Sequence, residues 1–536
     1  MNVLFRVNAG AEKGLGHLTR CIALANAFEK LGAACHFVMD RRDDSISPFL
    51  NTRNVYVLTS PTPQDQIADA RETGQIASQT KCRFIVMDDY DLDQNWETTI
   101  RQQGFTLLVI DDILRSHNCD FLIDYRWRGE NGKHAYDELT DKDCIKLLGP
   151  AYVLLPENYT SRLTTKHTDN KANINITVGF GGAGNFDLAA PLIDNLLKKL
   201  DHDIQFRVIL GPLFAGMKEL QKTCAQYNNV QFIIGQTDLF ETLSQTDLYI
   251  GPAGTIMYQL CALGIPALTF STAPNQDNDH QNLEDIGHYF HINRFGPEQA
   301  AKLAHCVNTF IRQYNRVKAL TEHAVYPIDG WGAKRVAQSV MGMEVVPYMS
   351  NPAQKNLPSL PIKSDFHTVR HVTDCDINHY LDARNLPANR ENMTFCTEIN
   401  RLDHYHWWFQ NKRASYLLSY NDEARLYIWH SSFTENEQDY LIGGWFVCSE
   451  NAQFQDSLIA LAWQLEYCSQ AYPDAVWLAV INRDNKSVKK LNDYMGFIEM
   501  DESHPYFPIT QNAFPQASYD TFHYVFLPSE LKARTL

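Results

Sequence analysis

The sequence predicts two consecutive doubly wound α/β units with parallel sheets, followed by an α+β unit. Three observations lead there. Short apolar runs alternate, up to about residue 340, with segments long enough for crossover helices. The alternation restarts at residue 174, with glycines at the strand ends. A proline-rich stretch at 343–366 then precedes a region of mixed strands and helices. The 536 residues leave room for this many domains of ordinary size.

The first strand is read at 3–7, followed by a loop through Gly10, Gly14 and Gly16. A helix comes next, because Leu18, Cys21, Ile22, Leu24 and Ala25 recur at three- and four-residue intervals. Further strands are expected at 35–39, 84–87 and 107–110. The second unit has strands at 174–180, running into Gly181, Gly182 and Gly184, then at 206–210, 230–234 and 248–250, each ending at glycine. Two such units in tandem place a ligand cleft at the carboxyl ends of both sheets. The expected domains are 1–160, 161–342 and 367–536, with 343–366 as a linker. In the last domain strands are expected at 425–429, 441–447 and 476–481.

Apolar residues at 44% and aromatics at 12% exclude global disorder. The 47 Lys plus Arg against 63 Asp plus Glu leave a net charge of −16, a mean field that opposes nucleic acid and anionic membranes as partners. The amino terminus reads as a strand rather than a secretory leader, and no run of apolar residues is long enough to span a bilayer, so a cytoplasmic location is expected. The 12 cysteines form no Cys-x-x-Cys pair; they read as reduced, and no metal is expected.

The strongest chemical signal runs from Arg6 to Ala25. Gly14 and Gly16 allow backbone to approach a ligand, and the following helix turns its N–H groups and positive dipole end toward it. His17 can exchange a proton near neutral pH, and the dipole favours its neutral form; spacing alone leaves it equally readable as a helix cap. The loops at Gly181–Gly182 and Gly254–Thr255 offer backbone N–H nests for an anion.

Together with Asp88, Tyr90, Asp111–Asp112, Gly149, Tyr152, Gly182, Gly254–Thr255, Pro266, Asn275–Gln276 and 328–335, these motifs resemble the nucleotide-sugar hydrolases of pseudaminic acid biosynthesis over roughly 1–340. Those enzymes are relatives of GT-B glycosyltransferases. The resemblance implies two Rossmann-like domains in a GT-B arrangement, and cleavage of UDP from a 2,4-diacetamido-2,4,6-trideoxy sugar by water attacking C1 with inversion. It also implies that His17 activates the water, Tyr90 and Asn275 contact the sugar, and Arg6, Gly14, Gly16, Gly181, Gly182, Gly254, Thr255, Gln259 and Gln276 line the substrate site. Three positions depart from the pattern: Asn8 stands for Asp, Asp89 for His, and Gln259 for the Glu that holds ribose in GT-B relatives. Tyr90 also reads as a wall residue and Asn275 as a loop residue bonding its own backbone. A glycosyltransferase and a non-catalytic nucleotide-sugar scaffold are the alternative functions.

In the last domain, Asn485, a short helix and Gly496–Phe497 resemble the end of the GNAT acyltransferase fold. Arg384–Asn385, Arg390 and His404–Phe409 resemble its branch that acts on sugar nucleotides. The resemblance implies a fused, acetyl-CoA-dependent N-acetyltransferase acting on the UDP-4-amino sugar precursor, with other pathway enzymes as partners. Its site residues would be His404, Gln453, Ser457, Asn485 and Tyr494. The usual glycine loop for the pyrophosphate is missing, and Asn492 stands where an acidic tyrosine is common.

Overall fold

The computed structural model describes all residues except 11–13, 41–49, 51–52, 60–64, 161–173, 182–183, 185, 201–203, 212–213, 237, 273–279, 353–356 and 530–536. Two compact units result, Met1–Gln354 and Lys355–Leu536.

The amino-terminal unit holds two parallel sheets. The first comprises β1 (Asn2–Val7), β2 (Ala34–Met39), β3 (Asn54–Val57), β4 (Phe84–Asp88), β5 (Thr106–Ile110), β6 (Phe121–Asp124) and β7 (Ile145–Leu148), in the order β3-β2-β1-β4-β5-β6-β7. The second comprises β8 (Asn175–Gly179), β9 (Gln205–Leu210), β10 (Val230–Ile234), β11 (Leu248–Pro252), β12 (Ala267–Phe270) and β13 (Phe290–Ile292), in the order β10-β9-β8-β11-β12-β13. Both follow the Rossmann-type order, whose switch points fall between β1 and β4 and between β8 and β11. Central strands such as β4 and β11 are buried along their whole length, which accounts for their unbroken apolar runs. The short strands β3, β6, β7, β12 and β13 carry too few residues for periodicity to register.

The helix Gly332–Val340 returns to the first sheet. Its Ala333, Val336 and Ala337 share a core with Leu24 and Phe28 of the helix Gly16–Lys30. Arg335 locks the return by donating to Asp329 at 2.8 Å and to the carbonyls of Ala151 at 3.0 Å and Val346 at 2.9 Å. A Cβ on Gly332 would lie 2.2 Å from the Val153 carbonyl oxygen, so only glycine permits this approach.

One buried polar cluster beneath the first sheet makes stability pH-dependent. His117 places Nδ1 2.7 Å from Glu97, while Nε2 stands 3.4 Å from Asp111, in ion-pair range but not aligned for a hydrogen bond. Burial opposes protonation of His117, yet Asp111 and Glu97 outweigh it and raise the imidazole from 6.5 to about 9. A raised value contributes stability that is full below about 6.5 and lost as pH climbs through about 9, roughly 3 kcal/mol in all. The thermal midpoint of the amino-terminal unit should therefore fall between those pH values. In His117→Gln that component of the slope should vanish, and an unchanged slope would reject the assignment.

The carboxyl-terminal unit is an eight-stranded mixed sheet: β14 (Ser359–Leu360), β15 (His367–His371), β16 (Ala414–Tyr420), β17 (Glu423–Glu435), β18 (Gln438–Val447), β19 (Val476–Asn482), β20 (Ile498–Glu499) and β21 (Phe522–Leu527). Its order is β14-β15-β16-β17-β18-β19-β21-β20. Neighbours are antiparallel except β18 and β19, which pair in parallel only over Tyr440–Ile442 against Val476–Leu478. Beyond that point both strands continue without pairing to each other. The proline-rich stretch is not wholly irregular, because Ser359 and Leu360 pair with Arg370 and Val369. Among the described residues no helix is long and apolar enough to cross a membrane.

Candidate active site

Both switch points of the amino-terminal unit open into one cleft of about 1090 Å3. From the first sheet come Gly14, Gly16, His17, Arg20, Tyr90 and Asp112; from the second come Gly179, Gly181, Gly254, Thr255 and Gln259. A Cβ on Gly16 would meet the Thr255 methyl at 3.9 Å, so the two helix starts face each other directly. Tyr125 and Tyr258 close the wall edge to face, with ring centroids 5.3 Å apart.

His17 sits in the first turn of the helix Gly16–Lys30, where the strand-loop-helix turn presents it to the cleft. Its Nδ1 lies 2.6 Å from Asp88 Oδ1, at the carboxyl end of β4. Arg20, one helical turn beyond His17, donates Nε to Asp88 Oδ2 and Nη2 to Oδ1, each at 2.6 Å. Burial alone would raise the Asp88 carboxyl, but Arg20 and His17 hold it well below the usual carboxylate range. An ionised Asp88 can only accept, so the proton of the neutral imidazole resides on Nδ1 and Nε2 keeps its lone pair. Arg20 also donates to Asp112 at 2.9 Å, and Asp112 accepts the Tyr90 hydroxyl. Tyr90 contacts the His17 ring edge to face at 4.6 Å, and burial and the Asp112 charge push its phenol up. His17, Asp88, Arg20, Asp112 and Tyr90 thus form one continuous network.

The opposite wall carries groups that can receive an anion and a hydroxyl. The helix Thr255–Leu263 starts without a side-chain cap, so its first N–H groups face the cleft unclaimed by side chains. Gln259, one turn further, has a buried Oε1 with no protein donor. Gly181 adopts φ +73°, a conformation that favours glycine and keeps side chain out of the cleft.

Arg6 is not a cleft residue. It is buried in β1, donating to Asp69 through Nε at 3.2 Å and Nη2 at 2.6 Å, and pairing with Asp40. The sequence departures Asn8 and Asp89 touch each other: Asn8 Nδ2 donates to Asp89 Oδ2 at 2.7 Å, so each accommodates the other. Gly182, Asn275 and Gln276 lie outside the described residues. Asp88, Arg20 and Asp112 were not singled out for roles; Arg20 at three residues from His17, and carboxylates at strand ends, are the signals that could have marked them.

The residues expected in the carboxyl-terminal unit have separate local contacts. His404 is buried, its Nε2 donates to the Ile377 carbonyl at 2.8 Å, and burial lowers it to about 3. Among Tyr380, Trp407 and Trp408 it is a packing group. Asn485 caps the helix Lys486–Tyr494 by accepting from Val488 N at 3.2 Å. Asn492 is buried, donating to the Val488 carbonyl at 2.9 Å, and Tyr494 is exposed. Gln453 and Ser457 flank the start of the helix Phe454–Ala471, where coenzyme A would need free N–H groups for its diphosphate. Asp456 occupies that start instead: it is buried, accepts Gln453 N–H at 2.7 Å and stands 2.9 Å from His367 Nε2. Asp456 thereby takes one of the N–H groups of that helix start.

No protein-family model matches the chain. An uncharacterized protein of Methanocaldococcus jannaschii is 22% identical over 275 residues, 50% of this chain and 55% of that protein. The UDP-2,4-diacetamido-2,4,6-trideoxy-beta-L-altropyranose hydrolase of Campylobacter jejuni is 21% identical over 279 residues, 52% of this chain and 94% of the hydrolase. The chain therefore spans about half the length of the first relative and nearly all of the second. Similar solved structures include Acinetobacter baumannii MurG, with 14% identity, 64% of this chain and 100% of that one covered, and a TM-score of 0.42. UDP-GlcNAc 2-epimerase from Neisseria meningitidis gives 12%, 64%, 100% and 0.46.

Proposed function

We propose that the amino-terminal unit hydrolyses the sugar–diphosphate bond of a UDP-linked 2,4-diacetamido-2,4,6-trideoxy sugar, a step of pseudaminic acid biosynthesis. The carrying observation is the His17–Asp88–Arg20 constellation facing the uncapped helix start at Thr255 across one cleft. The similarity to the Campylobacter jejuni hydrolase, which this chain covers almost fully, supports the same reading.

The chemistry needs a base near C1 and donors for the leaving group. His17 Nε2 takes a proton from water as its oxygen bonds to C1. The C1–O bond to the β-phosphate breaks, and its electron pair leaves on UDP. Asp88 stabilises the imidazolium that forms, and Arg20 keeps Asp88 ionised and in place. N–H groups at Gly254–Thr255 receive the diphosphate, and Gln259 Oε1 accepts a ribose hydroxyl.

Incubation with the UDP-diacetamido sugar, followed by mass spectrometry, should show free UDP and the free sugar. Tight binding with turnover only on adding an acceptor would instead make the protein a glycosyltransferase. Acetyl transfer by the carboxyl-terminal unit to the UDP-4-amino sugar is a companion proposal, supported only by the mixed sheet in which β18 and β19 pair in parallel over three residues. Adding acetyl-CoA and that amino sugar tests it, and an unaltered amino sugar would end it.

A further inference from the structure

We propose that Arg384, Arg390 and Arg413 form a binding site for a diphosphate group in the carboxyl-terminal unit. The inference is independent of how the amino-terminal cleft is read. Other arginines of this unit have carboxylate partners: Arg370 with Asp376 at 2.6 Å, Arg401 with Asp382 at 2.6 Å, and Arg425 with Glu423 at 2.9 Å. Among the described residues, no carboxylate pairs with Arg384, Arg390 or Arg413. In a chain with 63 acidic residues against 47 basic ones, this is not a shortage of counter-charge.

The three side chains come from different elements, and the charges of Arg413 and Arg390 both act on Arg384. Arg384 follows Tyr380 by one turn in the helix Ile377–Asn385, and Tyr380 packs against Trp407 with centroids 6.2 Å apart. Arg413 lies over the same Trp407 at 5.6 Å and over Trp429 at 4.0 Å. Arg390 ends the helix Pro387–Arg390, which Asn389 fixes to the end of β18 through the Val447 carbonyl at 2.8 Å. Arg384 spends one N–H on the Phe395 carbonyl at 2.8 Å; its Nη1 and Arg390 Nε are buried with no protein acceptor. Arg413 is exposed as a residue, but its guanidinium lies against the indole face.

Burial lowers the Arg384 guanidinium, and the neighbouring charges of Arg413 and Arg390 lower it further. Clustered guanidinium groups with unspent donors are costly unless an anion joins them. A carboxylate brings one charge. A diphosphate brings more charge and several acceptor oxygens, and guanidinium forks match it. Two molecules could supply it, a nucleoside diphosphate sugar or coenzyme A.

Hydrogen exchange of the full chain, read by mass spectrometry, tests the site with inorganic pyrophosphate, UDP and coenzyme A as separate probes. With a probe at ten times its dissociation constant, peptides covering 377–396 and 407–415 should exchange up to about tenfold more slowly. Arg413→Gln and Arg384→Gln should each raise the half-saturating concentration about tenfold or more, with far-UV circular dichroism unchanged. Should Arg384→Gln fail to fold, Arg413→Gln carries the test from the surface. Protection by UDP but not coenzyme A would identify the nucleotide source, and the reverse would identify the acyl donor. The proposal is overturned if none of the probes protects these peptides, or if an Arg390→Gln/Arg413→Gln double variant keeps full protection. Protection of cleft peptides reports separately on the amino-terminal unit.

Discussion

His17→Ala is expected to slow UDP release about 10²- to 10⁴-fold, the usual worth of a positioned general base. UDP binding should persist, because the residues proposed to hold the nucleotide, Gly181, Gly254, Thr255 and Gln259, line the cleft from the second sheet. The loss should therefore fall on kcat. Asp88→Asn is a sharper test of the same geometry. An amide beside His17 Nδ1 can donate to it, which moves the imidazole proton to Nε2 and removes the lone pair from the cleft. A loss of comparable size is expected there, with a thermal melt to report what Arg20 loses as its partner. Equal slow rates for wild type and His17→Ala would dismiss the hydrolytic mechanism.

The second large effect concerns stability. Gly332→Ala places a methyl 2.2 Å from the Val153 carbonyl oxygen and 2.6 Å from its nitrogen, backbone atoms that cannot rotate aside. At least about 3 kcal/mol of destabilisation is expected, lowering the thermal midpoint of the amino-terminal unit by about 6–12 °C. Gly342→Ala is the control. That residue has φ +65° but nothing within 4 Å of a new Cβ, so only the left-handed strain of about 1–2 kcal/mol applies. Equal melting temperatures for the two variants would show that the helix yields at this contact.

The site was legible where its signal is local. A strand, Gly14, Gly16, His17 and an amphipathic helix follow one another in the chain, so the turn and its histidine could be read together. The network behind His17 could not. Asp88 is 71 residues away and reaches His17 only because β1 and β4 are neighbours at a switch point. Arg6 shows the opposite error. A charged residue beside a glycine loop reads as a ligand group, while its partner Asp69 lies 63 residues further on a helix. His404 misled for the same reason, since a buried histidine satisfied by the Ile377 carbonyl has no sequence pattern of its own. The three sheets were foreshadowed by the pattern of apolar runs and glycines, but short strands such as β6 and β7 become recognisable only through their register with β5 and with each other.

The returning helix Gly332–Val340 also sets a timetable for synthesis. The core around Leu24 and Phe28 stays uncovered until Ala333, Val336 and Ala337 have left the ribosome, some 300 residues later. At about 5–20 residues per second, that exposed interval lasts from about 15 seconds to a minute. A nascent first half, with its sheet formed and one face open, is the species most in need of chaperone cover. Chains halted before residue 332 should accumulate as aggregates, whereas those released after 347 should be recovered folded.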